Sequence, residues 1–151
     1  MRIRLARLTD APVIAEFNAR LAHETEGRRL DARRLRLGVR RLLRDANKGI
    51  YFLAEQEGAV VGQLLITFEW SDWRNGYFWW IQSVYVLPEF RGQGVFRALY
   101  GHVAKRARAR RDVCGLRLYV DQENRRAQRI YQQLGLKAAR YKLLELDFVL
   151  K

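Results

Sequence analysis

The stretch VYVLPEFRGQGVFRAL, residues 84–99, constrains this chain more than any other. A β-patterned run ends at Pro88, which has no N–H to give to a ladder. Arg91, Gly92, Gln93 and Gly94 follow, then apolar residues at helical spacing: Val95, Phe96, Leu99, Tyr100, Val103, Ala104 and Ala107. A strand therefore hands over to a helix through a loop whose glycines tolerate positive φ and close approach. The leading N–H groups of a helix lack intrahelical acceptors and carry partial positive charge. An anion fits such a place, and Arg91 adds a fixed charge. Two phosphate motifs fail here. The dinucleotide fingerprint needs a third glycine where Arg97 stands, and the P-loop needs a Gly-Lys-Ser/Thr run that is absent. On these residues alone, a turn that merely needs positive φ remains open.

The surrounding pattern supplies the architecture. Arg2–Leu8 reads as a strand. Thr9 or Asp10 suits an N-cap, Pro12 suits a first helical turn, and Ile14, Phe17 and Leu21 recur at helical spacing. This helix is expected to end near His23, leaving HETEG as a loop. Asp31 caps a second helix with Leu35, Val39, Leu42 and Ala46 on one face. IYFLAEQ and AVVGQLLITFEW form a hairpin about Glu57-Gly58. Asn75-Gly76 marks a second turn, and YFWWIQSVYV is a central strand buried on both faces. Leu116–Val120 is a strand, Asn124–Leu134 a helix stopped at Gly135, and Tyr141–Val149 a final strand. The order β-α-α-β-β-β-α-β-α-β predicts an α+β fold with a βαβ unit in its second half.

With 151 residues the chain fits a single domain, 1–151. The lone Cys114 allows no intrachain disulfide, which points to a reducing, cytoplasmic setting. No segment approaches a membrane span. The formal net charge of +13 favours polyanions in general, from nucleic acid to phosphorylated cofactors. Arg33, Arg36, Arg40 and Arg44 share one stripe of the second helix, so a nucleic-acid-binding module is one alternative reading.

A second block, NRRAQRIYQQLGLK at residues 124–137, sharpens the choice. With VYVLPEFRGQGVFRAL it resembles the two cofactor motifs of the GNAT N-acetyltransferase superfamily. Val84-Tyr85-Val86, Arg91 and Gly94 match the first motif; Asn124, Ala127, Tyr131 and Gly135 match the second. Phe96 stands where the family usually has Gly or Ala, and Leu136 replaces a Phe. The resemblance covers essentially the whole chain. It implies a mixed, mostly antiparallel sheet with a splayed strand pair, flanked by helices. It implies transfer of an acetyl group from acetyl-CoA to a primary amine by direct attack, with no metal. A CoA-binding sensor without turnover is a further alternative.

The resemblance also implies roles. The strand carrying Val84 and Val86 splays so that the pantetheine arm pairs with it. The Val86 amide polarises the thioester carbonyl. Arg91 and the amides of Gly92, Gln93, Gly94, Val95, Phe96 and Arg97 receive the pyrophosphate. Tyr131 is the candidate acid for the departing thiolate, on one helix face with Ala127. Asn124 is expected to bond the pantetheine, to cap its helix, or both. Neither motif contains a His, so a carboxylate acting through water is the expected base, with Glu69 the first candidate. Glu24, Glu26 and Trp79 are expected on the acceptor side, facing a small cationic amine or a protein amine. A homodimer is compatible with the sequence.

Overall fold

The computed structural model describes residues 1–150 and divides into two compact units, Met1–Tyr119 and Val120–Lys151. In the first unit, five strands stand side by side in chain order: β1 (Arg2–Leu5), β2 (Ile50–Gln56), β3 (Ala59–Ser71), β4 (Gly76–Val86) and β5 (Val113–Leu118). The first three pairings are antiparallel, and β4 runs parallel to β5. The helix α3 (Val95–Arg108) makes the β4–β5 crossover, which is the expected βαβ unit. α1 (Ala11–Glu26) and α2 (Ala32–Leu43) lie between β1 and β2 in sequence.

Alternation along the strands sorts the core into two layers. Tyr51, Leu53 and Leu65 point toward α1 and α2, where Ile14, Ala15 and Val39 are buried with them. The opposite face of the sheet meets α3, whose Leu99 and Val103 are fully buried. Gly62 lets α3 come this close. A β-carbon there would stand 2.9 Å from the Val95 side chain and 3.3 Å from the Tyr85 carbonyl. The ends of β1 and α1 are tied by Arg4, which donates to both carboxylate oxygens of Asp10 (2.8 and 2.9 Å) and to Glu55 (2.7 Å). That bonding holds the Asp10 carboxyl below its usual range.

Several expectations are met. Asp31 accepts a hydrogen bond from the Arg34 N–H and caps α2, and β4 is an interior strand. Two are corrected. α1 does not end near His23 but runs to Glu26, stopping at Gly27 with φ +62°. Its apolar period lapses after Leu21, but helical bonding continues to that glycine. Glu24 and Glu26 are therefore helical, not loop, residues. The final strand over 141–149 is not formed among the described residues. Leu143-Leu144 breaks the period of two. The Asp147 carboxylate accepts from the N–H groups of Val149 and Leu150 (2.7 Å each), a local bonding pattern that competes with a ladder.

In the second unit, α4 (Arg125–Gln133) is capped at both ends. The Asn124 side chain accepts from the Ala127 N–H at 3.1 Å. At the other end, Leu136 N–H bonds the Tyr131 carbonyl and Gly135 N–H bonds the Gln132 carbonyl, both at 3.0 Å. This is the paired bonding of a Schellman stop. No helix among the described residues is long and apolar enough to cross a membrane.

Candidate active site

The glycine loop has the geometry its sequence called for. Gly92 and Gly94 both take positive φ, +76° and +81°, and a β-carbon at either would meet nothing within 4 Å. The loop thus leaves open space beside its backbone. Gly94 is the N-cap of α3 and offers no side chain to cap it. The first i→i−4 bond of α3 runs from Ala98 N–H to the Gly94 carbonyl, 3.0 Å. The amides of Val95, Phe96 and Arg97 precede it at the head of the helix. Phe96 packs beside Tyr100, ring centroids 6.0 Å apart. Its bulk lies along the helix, so the departure from Gly or Ala leaves the glycine loop open. Gln93 donates to the Glu89 carbonyl and braces the loop.

Arg91 does not extend over this cradle. Its Nε donates to the Val86 carbonyl and its Nη2 to Glu24 Oε2, both at 2.8 Å. Glu24 also accepts from the Tyr85 hydroxyl at 2.9 Å. The Arg91 guanidinium beside it holds the Glu24 carboxyl below the usual range. The pair therefore joins the last turn of α1 to the end of β4. Glu26 instead meets Arg28 at 3.5 Å.

Between these points the β3–β4 ladder is interrupted. Gln63 pairs with Tyr85 and Leu65 with Gln82, so Ser83 and Val84 together face Leu64 alone. This is a β-bulge, and Ser83 has φ +50°. A side-chain-bearing residue held there costs about 1–3 kcal/mol, strain that must be fixed by its surroundings. The bulge turns the backbone at Val84 out of register with β3, while the pairing of β4 with its other neighbour, β5, runs no further than Ile81.

Glu69 lies elsewhere. Its partner is Phe78, and it stands four residues from Leu65, roughly 13 Å along the strand. It is not beside the bulge, because β3 runs on well past that point. Its Oε1 accepts from the Trp80 indole at 3.0 Å and from Arg117 at 2.7 Å. The indole bond, with Arg117 beside it, lowers its carboxyl from the usual range. Such a group stays anionic and binds protons weakly. Trp79, by contrast, is core: 5% exposed, with its ring edge-on to Phe68 at 6.3 Å. Trp79, expected on the acceptor side, is thus placed in the core, and alternation turns the neighbouring indole outward. Trp80 stacks on Tyr119 at 4.4 Å, and Arg117 lies 3.6 Å over the Phe78 ring. Glu69, Trp80, Arg117 and Tyr119 form a polar-aromatic patch that the sequence alone did not single out. The parity of the β4–β5 pairing, with Trp80 opposite Arg117, is what assembles it.

In the second unit, burial pushes the Tyr131 phenol above its usual range. Asn124 acts as the α4 cap, with Ala127 its donor. Among the described residues no cluster of His, Cys, Asp or Glu is built to hold a metal.

These features have relatives. The acetyltransferase (GNAT) family model matches residues 14–136, and the chain belongs to that family. It is similar to a possible acetyltransferase from Clostridium difficile 630 of known structure, with 42% identity, 98% of this chain and 97% of that chain covered, and a TM-score of 0.91. The fold is shared with a predicted acetyltransferase from Clostridium acetobutylicum solved with acetyl-CoA, at 19% identity, TM-score 0.77, and coverage of 98% and 96%. A Bos taurus thialysine N-epsilon-acetyltransferase is 38% identical over 80 residues, which is 53% of this chain. The match spans 46% of that relative's length, less than half of it.

Proposed function

We propose that residues 1–151 act as one cytoplasmic acyl-CoA-dependent N-acetyltransferase domain, moving an acetyl group from acetyl-CoA to a cationic primary amine. The observation that carries this reading is the open, positive-φ glycine cradle at the head of α3, one short turn beyond the bulged end of β4. Acetyl-CoA supplies an activated thioester. The cradle amides, from Gly92 to Arg97, bind its pyrophosphate. The backbone at Val84 and Val86 takes the pantetheine arm as an added strand and polarises the carbonyl as charge builds on its oxygen. The amine nitrogen bonds to the carbonyl carbon as the C–S bond breaks. The ammonium first loses one proton to water; Tyr131 gives its proton to the leaving sulfur, and the second proton, shed by the nitrogen as the amide forms, restores the phenol through water.

The acceptor reading rests on the patch about Glu69. A carboxylate kept anionic attracts an ammonium group, and the Trp80–Tyr119 stack offers ring faces for cation–π contact. Glu69 is then an anchor for the cation, whose proton passes directly to solvent. An amino-acid side-chain amine fits this chemistry, and the bovine relative is named for such an acceptor.

Incubating the protein with acetyl-CoA and a library of amines, amino acids and peptides, read by mass spectrometry, tests the proposal. Acetylation of cationic primary amines is expected. Trp80→Ala should raise the acceptor KM about tenfold, the upper range of a partly desolvated cation–π contact, and leave the acetyl-CoA KM unchanged. Turnover confined to anionic acceptors, or none at all, would overturn the reading.

A further inference from the structure

The middle of β3 holds a residue that the core does not need. Gln63 is fully buried at 0% exposure, in a strand otherwise lined by Leu64, Leu65 and Ile66. Its Oε1 has no hydrogen-bond partner among the described residues. A buried amide with an orphaned oxygen is a cost that a leucine or methionine would not incur. Such groups call for an explanation beyond packing.

The other end of the amide supplies it. Gln63 Nε2 donates to the Ser83 carbonyl and to Asn18 Oδ1, both at 3.0 Å. Asn18 Nδ2 donates to the Tyr51 hydroxyl at 2.9 Å. Tyr51 is itself buried, at 4% exposure. The four residues form a hydrogen-bonded chain, Tyr51–Asn18–Gln63–Ser83, that draws on β2, α1, β3 and β4. A carbonyl can only accept, so the Ser83 carbonyl fixes which way the Gln63 amide faces. The chain ends on the one β4 residue with positive φ, at the bulge itself.

We propose that Gln63 is a positioning residue: it buckles the β4 bulge from beneath, holding Ser83 in its left-handed conformation so that the Val84 backbone keeps the orientation needed to receive the thioester arm. Gln63 touches neither cofactor nor acceptor. It acts through the Ser83 carbonyl, and Asn18 and Tyr51 hold it in place. The functional half of this statement rests on acyl-CoA binding at β4, as proposed above. The conformational half does not.

The test uses Gln63→Met, which keeps length and volume while removing both the donor and the orphan oxygen. Two readouts are taken: backbone amide hydrogen exchange in the free protein, and acetyl-CoA affinity by calorimetry. Exchange at Val84 and its neighbours should rise about tenfold, the scale of one net hydrogen bond, while exchange in α3 stays as in the wild type. Acetyl-CoA affinity should fall by a similar factor. Adding Ser83→Gly, which adopts positive φ without strain, should restore affinity to within about threefold. A merely structural glutamine would show no such rescue. Asn18→Ala cuts the chain one residue further away; it should show the same pattern at smaller size and serves if Gln63→Met does not fold. Unchanged exchange about Val84 in either folded variant would overturn the proposal. Altered exchange with unchanged acetyl-CoA affinity would overturn its functional half. A wild-type protein that does not bind acetyl-CoA would remove the acyl-CoA reading, and the functional half with it, while the exchange data decide the buckle.

Discussion

Replacing Tyr131 by Phe is expected to lower kcat by about a hundredfold to ten thousandfold, the usual contribution of a positioned proton donor. Acetyl-CoA affinity should stay within about twofold, because the change removes one hydroxyl and leaves the ring and its packing. Burial raises the Tyr131 phenol above its ordinary value of 10.0. The acid form is therefore complete at neutral pH, and Tyr131 causes no alkaline loss of activity until the pH exceeds that value. Single-turnover kinetics with saturating acceptor is the measurement, since slow product release would mask a chemical defect. Wild-type single-turnover rates in Tyr131→Phe would leave the phenol a packing group.

The second large effect belongs to the glycine cradle. Gly94→Glu should weaken acetyl-CoA binding by more than about a hundredfold. A carboxylate would be placed where the amides at the head of α3 favour an anion, and like charges there repel. The space around a β-carbon at this position is open, so the free protein loses only the cost of a side chain at φ +81°, about 1–2 kcal/mol. Gly94→Ala separates the two terms: it carries the same backbone strain without the charge and should bind far better than Gly94→Glu. Calorimetry on both variants, with circular dichroism to show that each is folded, decides the point. Equal affinities for Gly94→Ala and Gly94→Glu would move the pyrophosphate away from this loop.

Much of this was legible in the sequence because it rests on local rules. Pro88, the two glycines and the apolar period after them place β4, the cradle and α3 without reference to anything distant. Asn124 and Gly135 likewise bracket α4. The end of α1 was misplaced because the apolar period faded before the helix did, whereas Gly27 carried the stop signal. The expected strand over 141–149 rested on apolar content, and the local bonds of Asp147 outweighed it. The site was less legible. Whether Trp79 or Trp80 faces the core depends on the parity of β4 against its neighbours, which no single-strand pattern fixes. Glu69 lies near the end of β3, as its position suggested, but the bulge that matters is at Gln63–Leu65. The hydrogen bonds linking Tyr51, Asn18, Gln63 and Ser83 join four elements far apart in sequence, so these residues look unrelated until the sheet brings them together.

The bond between Glu24 and Arg91 has a thermodynamic consequence. One carboxylate on the last turn of α1 holds the arginine that precedes the cradle, and that arginine also grips the end of β4. Any acceptor that draws Glu24 toward its own ammonium loosens Arg91, and any phosphate that draws Arg91 frees Glu24. Binding at one place is thereby heard at the other, and linkage requires the factor to be equal in both directions. Both side chains are substantially exposed, at 47% and 39%, so the factor should not exceed about fivefold and should shrink as salt is added. Acceptor affinity measured with and without CoA, and CoA affinity measured with and without acceptor, should change by that same factor. In Glu24→Gln both should approach one, and a coupling that survives that substitution would have to travel by another route.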